Sequence, residues 1–149
     1  MYENVASVFS FNKSITFFCA EPFYFTDHVI ILQPDDDVAA QTWGDTWCMP
    51  TNEQWEELMN NTTMKWERKE SGVEGLLFST NKGTLFLPIC GLRDKKELGH
   101  DTDEGYYWSS VLNPNYPNFA FGFYFRMDKT YVYIYSRYYG FLVRPVLKK

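Results

Sequence analysis

Trp47-Cys48-Met49-Pro50-Thr51-Asn52-Glu53-Gln54-Trp55-Glu56-Glu57-Leu58-Met59-Asn60-Asn61 is the stretch whose reading decides the fold class. Thr51 with Gln54 three residues on is a capping box. The hydroxyl serves an orphan N–H of the first helical turn, and the amide side chain reaches back to the N–H of the cap. Trp55, Leu58 and Met59 then recur at helical spacing on one face, and Asn60-Asn61 ends the run. Downstream of Thr62 the period changes from helical to alternating. Met64, Trp66 and Arg68 alternate. Leu76-Leu77-Phe78 and Leu85-Phe86-Leu87 flank Asn81-Lys82-Gly83, a hairpin turn with glycine at the expected left-handed position. Residues 89–104 read as a charged loop, and Tyr106-Tyr107-Trp108 opens another strand. The stretch Asn113-Pro114-Asn115-Tyr116-Pro117-Asn118 is a loop by composition. Phe119 to Arg126 and Thr130 to Ser136 form a hairpin around Asp128-Lys129, and Gly140 leads into a last strand, Phe141 to Leu147.

Upstream, residues 1–33 read as two or three strands ending in Val29-Ile30-Ile31-Leu32. Pro34 and Asp35-Asp36-Asp37 then open a short helix that Gly44 stops. Two helices early and a mostly antiparallel sheet late make the class α+β.

With 149 residues the chain is the size of one domain. Aromatic residues make up 19%, which favours strands and supplies recognition surfaces. A net charge of −5 argues against a nucleic-acid partner, which needs a basic face. No apolar run is long enough for a membrane span, and Met1 to Phe23 shows no signal-peptide pattern. Cys19, Cys48 and Cys90 lack CxxC spacing and allow at most one internal disulfide, so three small buried thiols are expected.

Trp43-Gly44, Trp47-Cys48-Met49-Pro50-Thr51, Glu53, Trp55 and Leu58 resemble the W-R-M-P-T-x-x-E-W-x-E-L signature of the Fibrobacter succinogenes major paralogous domains of gut Bacteroidetes. Further matches follow in order. They are Gly72-Val73-Glu74-Gly75, Leu87-Pro88 with Gly91 and Arg93, Gly105 to Ser110, and Arg137-Tyr138-Tyr139-Gly140 with Val143-Arg144-Pro145-Val146. The resemblance covers residues 31–147, while residues 1–30 match poorly. It implies a C-type-lectin-like fold, with two short helices on a mostly antiparallel sheet with long loops. That fold is shared with formylglycine-generating enzymes and with the variable proteins of diversity-generating retroelements. It also implies a cell-surface or extracellular setting and adhesion. Cys48 stands where the family has Arg, and Ile89-Cys90 where it has two Ala, which suggests Cys48 and Cys90 share one core.

The chemistry of an enzyme is hard to assemble from this sequence. The formylglycine-generating relatives hold copper with two cysteines near their C-terminal end, and here no cysteine follows Cys90. The only histidines are His28, read as structural, and His100, read as solvated. Gln33-Pro34-Asp35 resembles a calcium motif of C-type lectins but precedes the first helix instead of lying late in the chain. Asp101, Asp103 and Glu104 offer oxygen ligands but read as solvated loop acids. No catalytic residue, metal or cofactor is therefore expected. Trp43, Trp47, Trp55, Trp66 and Trp108 read as core anchors, and Arg137 and Arg144 as structural.

What remains is an aromatic surface. In Tyr131-Val132-Tyr133-Ile134-Tyr135, alternation sends the three phenols to one face and the branched aliphatics to the other. Tyr124 and Arg126 join from the partner strand while Phe123 and Phe125 turn inward. Asn113, Asn115, Tyr116 and Tyr138 rim the patch. Rings with a polar tip suit a protein or glycan ligand. The expected function is a non-catalytic binding and display domain. The alternatives are an assembly module of a surface adhesin or fibre, and a degenerate formylglycine-generating-type enzyme. Through the resemblance, the Tyr, Asn, Ser, Asp and Phe enrichment after residue 106 also fits adenine-directed retroelement mutagenesis of residues 106–147.

Overall fold

A computed structural model describes residues 29–94 and 103–148, together with the backbone of 16–18 and 97–99. The chain is α+β and mostly strand. Its elements are β1 (Thr16–Phe18), α1 (Val38–Trp43), β2 (Trp47–Cys48), α2 (Asn52–Asn61), β3 (Thr63–Arg68), β4 (Glu74–Thr80), β5 (Gly83–Pro88), β6 (Leu92–Asp94), β7 (Glu97–Gly99), β8 (Glu104–Leu112), β9 (Phe119–Arg126), β10 (Lys129–Ser136), β11 (Phe141–Val143) and β12 (Val146–Leu147).

The capping box forms as the sequence requires. Gln54 N–H donates to Thr51 Oγ1 at 3.2 Å, and Thr51 N–H donates to Gln54 Oε1 at 2.9 Å. Trp55 and Leu58 on the apolar face are fully buried. The helix packs on a five-stranded sheet of order β1-β11-β8-β9-β10, antiparallel apart from the β11–β8 pair. A second sheet, β3-β4-β5, closes over the same side. Tyr107, Phe123, Phe125 and Leu142 meet Trp55, Leu76, Phe78 and Leu87 there, with the Trp55 and Phe123 rings stacked at 4.8 Å. On the opposite face, Tyr106, Trp108, Tyr124, Phe141 and Val143 pack with Ala39 of α1 and with Met49. Trp108 stacks on Phe141 at 4.2 Å. β12 pairs with β2, which ties the last described residues to the segment before α2.

Several expectations need correction. Val29 to Leu32 is no strand: Ile31 makes one isolated bridge to Val111, where β8 leaves register with β9 between Trp108 and Leu112. The irregular stretch of β8 offers too little ladder for a longer pairing. α1 begins after the acidic run, because Asp37 is its cap. Asp37 Oδ1 accepts from the N–H of Ala39 at 2.8 Å, and Oδ2 accepts from that of Met49 at 2.8 Å. Asp35 and Asp36 lie in the preceding turn. Gly83, with φ of 159°, is close to extended instead of left-handed. Within 89–104 the described residues include the β6–β7 hairpin. The last strand splits in two at Arg144-Pro145, since Pro145 has no N–H to give a ladder. Of the expected strands upstream of Val29, only β1 falls among the described residues. Trp55 and Trp108 are buried, whereas Trp43, Trp47 and Trp66 are half-buried.

Candidate functional site

The β9–β10 hairpin holds register without a break from Lys129 opposite Arg126 to Ser136 opposite Phe119. Tyr131, Tyr133 and Tyr135 therefore share one face with Tyr124, Gly122 and Ala120. Val132 and Ile134 share the other with Phe123 and Phe121. On the inner face Val132 packs against the core beneath α2. On the other, Tyr131 is 41% and Tyr133 59% exposed. Their rings meet edge to face at 6.5 Å, and Tyr133 meets Tyr135 the same way at 6.0 Å. Tyr135 is half-buried against Phe141 at 5.1 Å. Gly122 makes room for this face, because a Cβ there would lie 3.2 Å from a Tyr135 ring carbon and 3.3 Å from a Phe141 ring carbon.

Tyr124 lies on the expected face but is buried, at 5% exposure, so it is no free contact residue. The Tyr131 ring stacks on it at 4.7 Å, and its hydroxyl donates to Glu104 Oε1 at 2.7 Å. Tyr106 donates to the other oxygen of the same carboxylate, also at 2.7 Å. Glu104 thus sits beneath the ladder as the acceptor for two buried phenols and is not a solvated loop acid. The sequence signal for it was present: Glu104 and Tyr106 are two apart in a strand and so share a face. Burial, then the Glu104 hydrogen bond, pushes the Tyr106 and Tyr124 phenols above their ordinary range. Burial, then the neighbouring Tyr131, does the same to Tyr135.

The expected rim does not close around these rings. Arg126 stands at the hairpin turn, where its guanidinium pairs with Asp128 at 2.6 Å and holds that carboxyl below its usual range. The 113–118 loop lies at the far end of β9, roughly 23 Å away at an ordinary strand rise. Asn113 is used locally, its Oδ1 accepting from the N–H groups of Asn115 and Tyr116. Asn115 is exposed and Tyr116 is 61% exposed beside Phe119, near the Tyr135 end of the ladder. Tyr138, 38% exposed, packs on Tyr139 at 4.3 Å. Tyr139 stacks on Phe141 at 6.1 Å, so Tyr138 and Tyr135 are linked through shared rings.

A cleft of about 210 Å³ is lined by Ile31, Leu32, Asp37, Cys48, Met49 and Lys148, among others, but the Asp37 carboxylate in it is spent on backbone N–H groups. Cys48 and Cys90 are free, half-buried thiols that pack against the same core. Burial raises both, Cys90 to about 12. Arg137 donates to the Pro117 carbonyl at 3.2 Å, and Arg144 is buried. Among the described residues, no cluster of three or more His, Cys, Asp or Glu could hold a metal, and no helix is long and apolar enough to cross a membrane. Cys19, His28, His100 and Asp101 lie outside the described residues.

Comparison with models of known families, with characterised proteins and with solved structures returns no match.

Proposed function

We propose that this chain is a non-catalytic ligand-binding domain that displays the Tyr131–Tyr133–Tyr135 face to a protein or glycan, on a C-type-lectin-like scaffold of the Fibrobacter succinogenes major paralogous type. One observation carries the reading. Two adjacent phenol rings stand 41% and 59% exposed on a strand whose opposite face is packed into the core. Such rings offer large contact area with only two side-chain torsions to immobilise, and a hydroxyl tip that hydrogen-bonds at the rim. Their orientation is fixed beforehand by Tyr124, Tyr135 and Phe141 beneath, so little ordering remains to be paid on binding.

The motifs behind the resemblance support the scaffold assignment, because they are the contacts that build the fold. The Tyr107 hydroxyl donates to the Pro88 carbonyl at 2.9 Å, Gly75 packs on the Leu87–Pro88 backbone, and Arg93 and Gly140 exchange two 2.8 Å backbone hydrogen bonds. Variation in residues 106–147 by a retroelement belongs to the same proposal. A near-repeat of this coding segment beside a reverse transcriptase gene is the expected genomic sign.

A glycan and protein array probed with the wild type and with the Tyr131→Ala, Tyr133→Ala, Tyr135→Ala triple variant tests the site. Hits lost by a folded variant support it. A variant that keeps every hit shows that binding lies elsewhere.

A further inference from the structure

We infer that β10 is a self-pairing edge, through which two copies of this chain join antiparallel and extend the five-stranded sheet into one continuous sheet. β10 stands last in the strand order, and among the described residues nothing pairs with its outer side. The hydrogen-bonding parity says which backbone groups face outward. Arg137 N–H donates to the Asn118 carbonyl at 2.9 Å, one step beyond the Ser136–Phe119 pair. Odd-numbered residues of β10 therefore bond to β9, and Thr130, Val132 and Ile134 turn their N–H and C=O groups away from it, as Ser136 does its N–H, while the Ser136 carbonyl accepts from Tyr139 N–H at 3.2 Å. Such a row is a template for another strand.

The usual blocks to pairing are missing from this edge. β10 has no proline, its register is unbroken over eight residues, and its one charge, Lys129, sits at the turn. The opposite edge strand, β1, is three residues long.

The occupant is a second copy because the strand is complementary to itself. A two-fold axis through Tyr133 sets Thr130 opposite the partner's Ser136 and Val132 opposite the partner's Ile134. Val132 and Ile134 then exchange both bonds with the partner, and each Ser136 N–H donates to the partner's Thr130 carbonyl. Val132 and Ile134, half-buried in one copy, become neighbours across the joint on the inner face. On the other face Tyr131 meets the partner's Tyr135, and Tyr133 meets the partner's Tyr133 at the close spacing of a non-hydrogen-bonded pair. The arrangement is closed, with the same strand used on both sides, and it joins two phenol ladders into one.

Sedimentation across a dilution series tests this. The wild type is expected at twice the chain mass of 17.6 kDa, dissociating on dilution. Thr130→Pro with Ser136→Pro removes two outward donors, leaves the bonds to β9 and every phenol in place, and should give a folded monomer. A wild type that stays monomeric at every concentration overturns the inference, as does a folded double variant that remains dimeric. Should the double variant fail to fold, cross-linking decides. In a chain whose three native cysteines are serine, Tyr133→Cys is expected to form an intermolecular disulfide under oxidation, and Tyr131→Cys is not. Equal cross-linking at both positions, or none at Tyr133→Cys, excludes this register. Because the proline variants spare the tyrosines, loss of pairing and loss of ligand binding are separate results.

Discussion

Replacing Glu104 with alanine strands two half-buried hydroxyls, those of Tyr106 and Tyr124, which both donate to its carboxylate. A buried polar group left without a partner costs roughly 1–3 kcal/mol. Glu104→Ala should therefore lower the unfolding free energy in urea by about 2 kcal/mol. Glu104→Gln, which keeps one acceptor oxygen, should recover part of that loss. If both variants unfold with the wild type, the carboxylate is not what holds the phenols. The candidate site was legible where alternation alone sets it, at Tyr131 and Tyr133. It was not legible at Tyr124, because alternation gives the face but cannot say that a neighbouring ring will lie over the position. Burial governs the thiols in the same way. With Cys90 pushed up to about 12, alkylation of the native protein at pH 8 should leave it unmodified by peptide mass mapping, and denaturant should expose it. Rapid native modification of Cys90 would contradict its placement beside the Tyr106 carbonyl.

At the scale of elements, α2 was readable because its capping signals are local, and Thr51→Ala should cost about 1 kcal/mol. The β4–β5 and β9–β10 hairpins were readable for the same reason, since short turns fix register. Long-range pairing was not. Ile31 finds Val111 only because β8 drops out of register there, and the ending of β11 depends on Pro145. Gly75 shows the same limit. It lies inside β4, where the Leu87 carbonyl oxygen comes too close for any Cβ, a contact between strands that no local signal marks. Gly75→Ala must push β4 and β5 apart, and a loss on the order of 2 kcal/mol is expected, as for other overpacked sites. Thermal melting of this variant close to the wild type would mean that the strands separate easily.

On the scale of the whole molecule, both cores depend on protonated phenols, and this fixes how stability varies on the alkaline side. Tyr107 is fully buried in the core beneath α2, donating to Pro88, and Tyr106, Tyr124 and Tyr135 serve the opposite face. Burial is the largest cause raising all four above the ordinary tyrosine value of 10.0. The unfolded chain releases these protons near pH 10, whereas the folded chain keeps them. Above that pH the unfolded state binds fewer protons, so the unfolding free energy falls as pH rises. Each phenol still protonated in the native state adds a slope of about 1.4 kcal/mol per pH unit. Stability should thus be level on the neutral side and drop steeply beyond pH 10. Unfolding and the release of the buried phenolates should coincide in absorbance and near-ultraviolet circular dichroism. Tyr107→Phe, which removes one such proton, should make the alkaline fall shallower even though it gives up the Pro88 hydrogen bond. Phenolates that form one by one while the dichroism stays native would mean that water already reaches these rings in the folded protein. The rigid base assigned to the exposed ladder would then be lost.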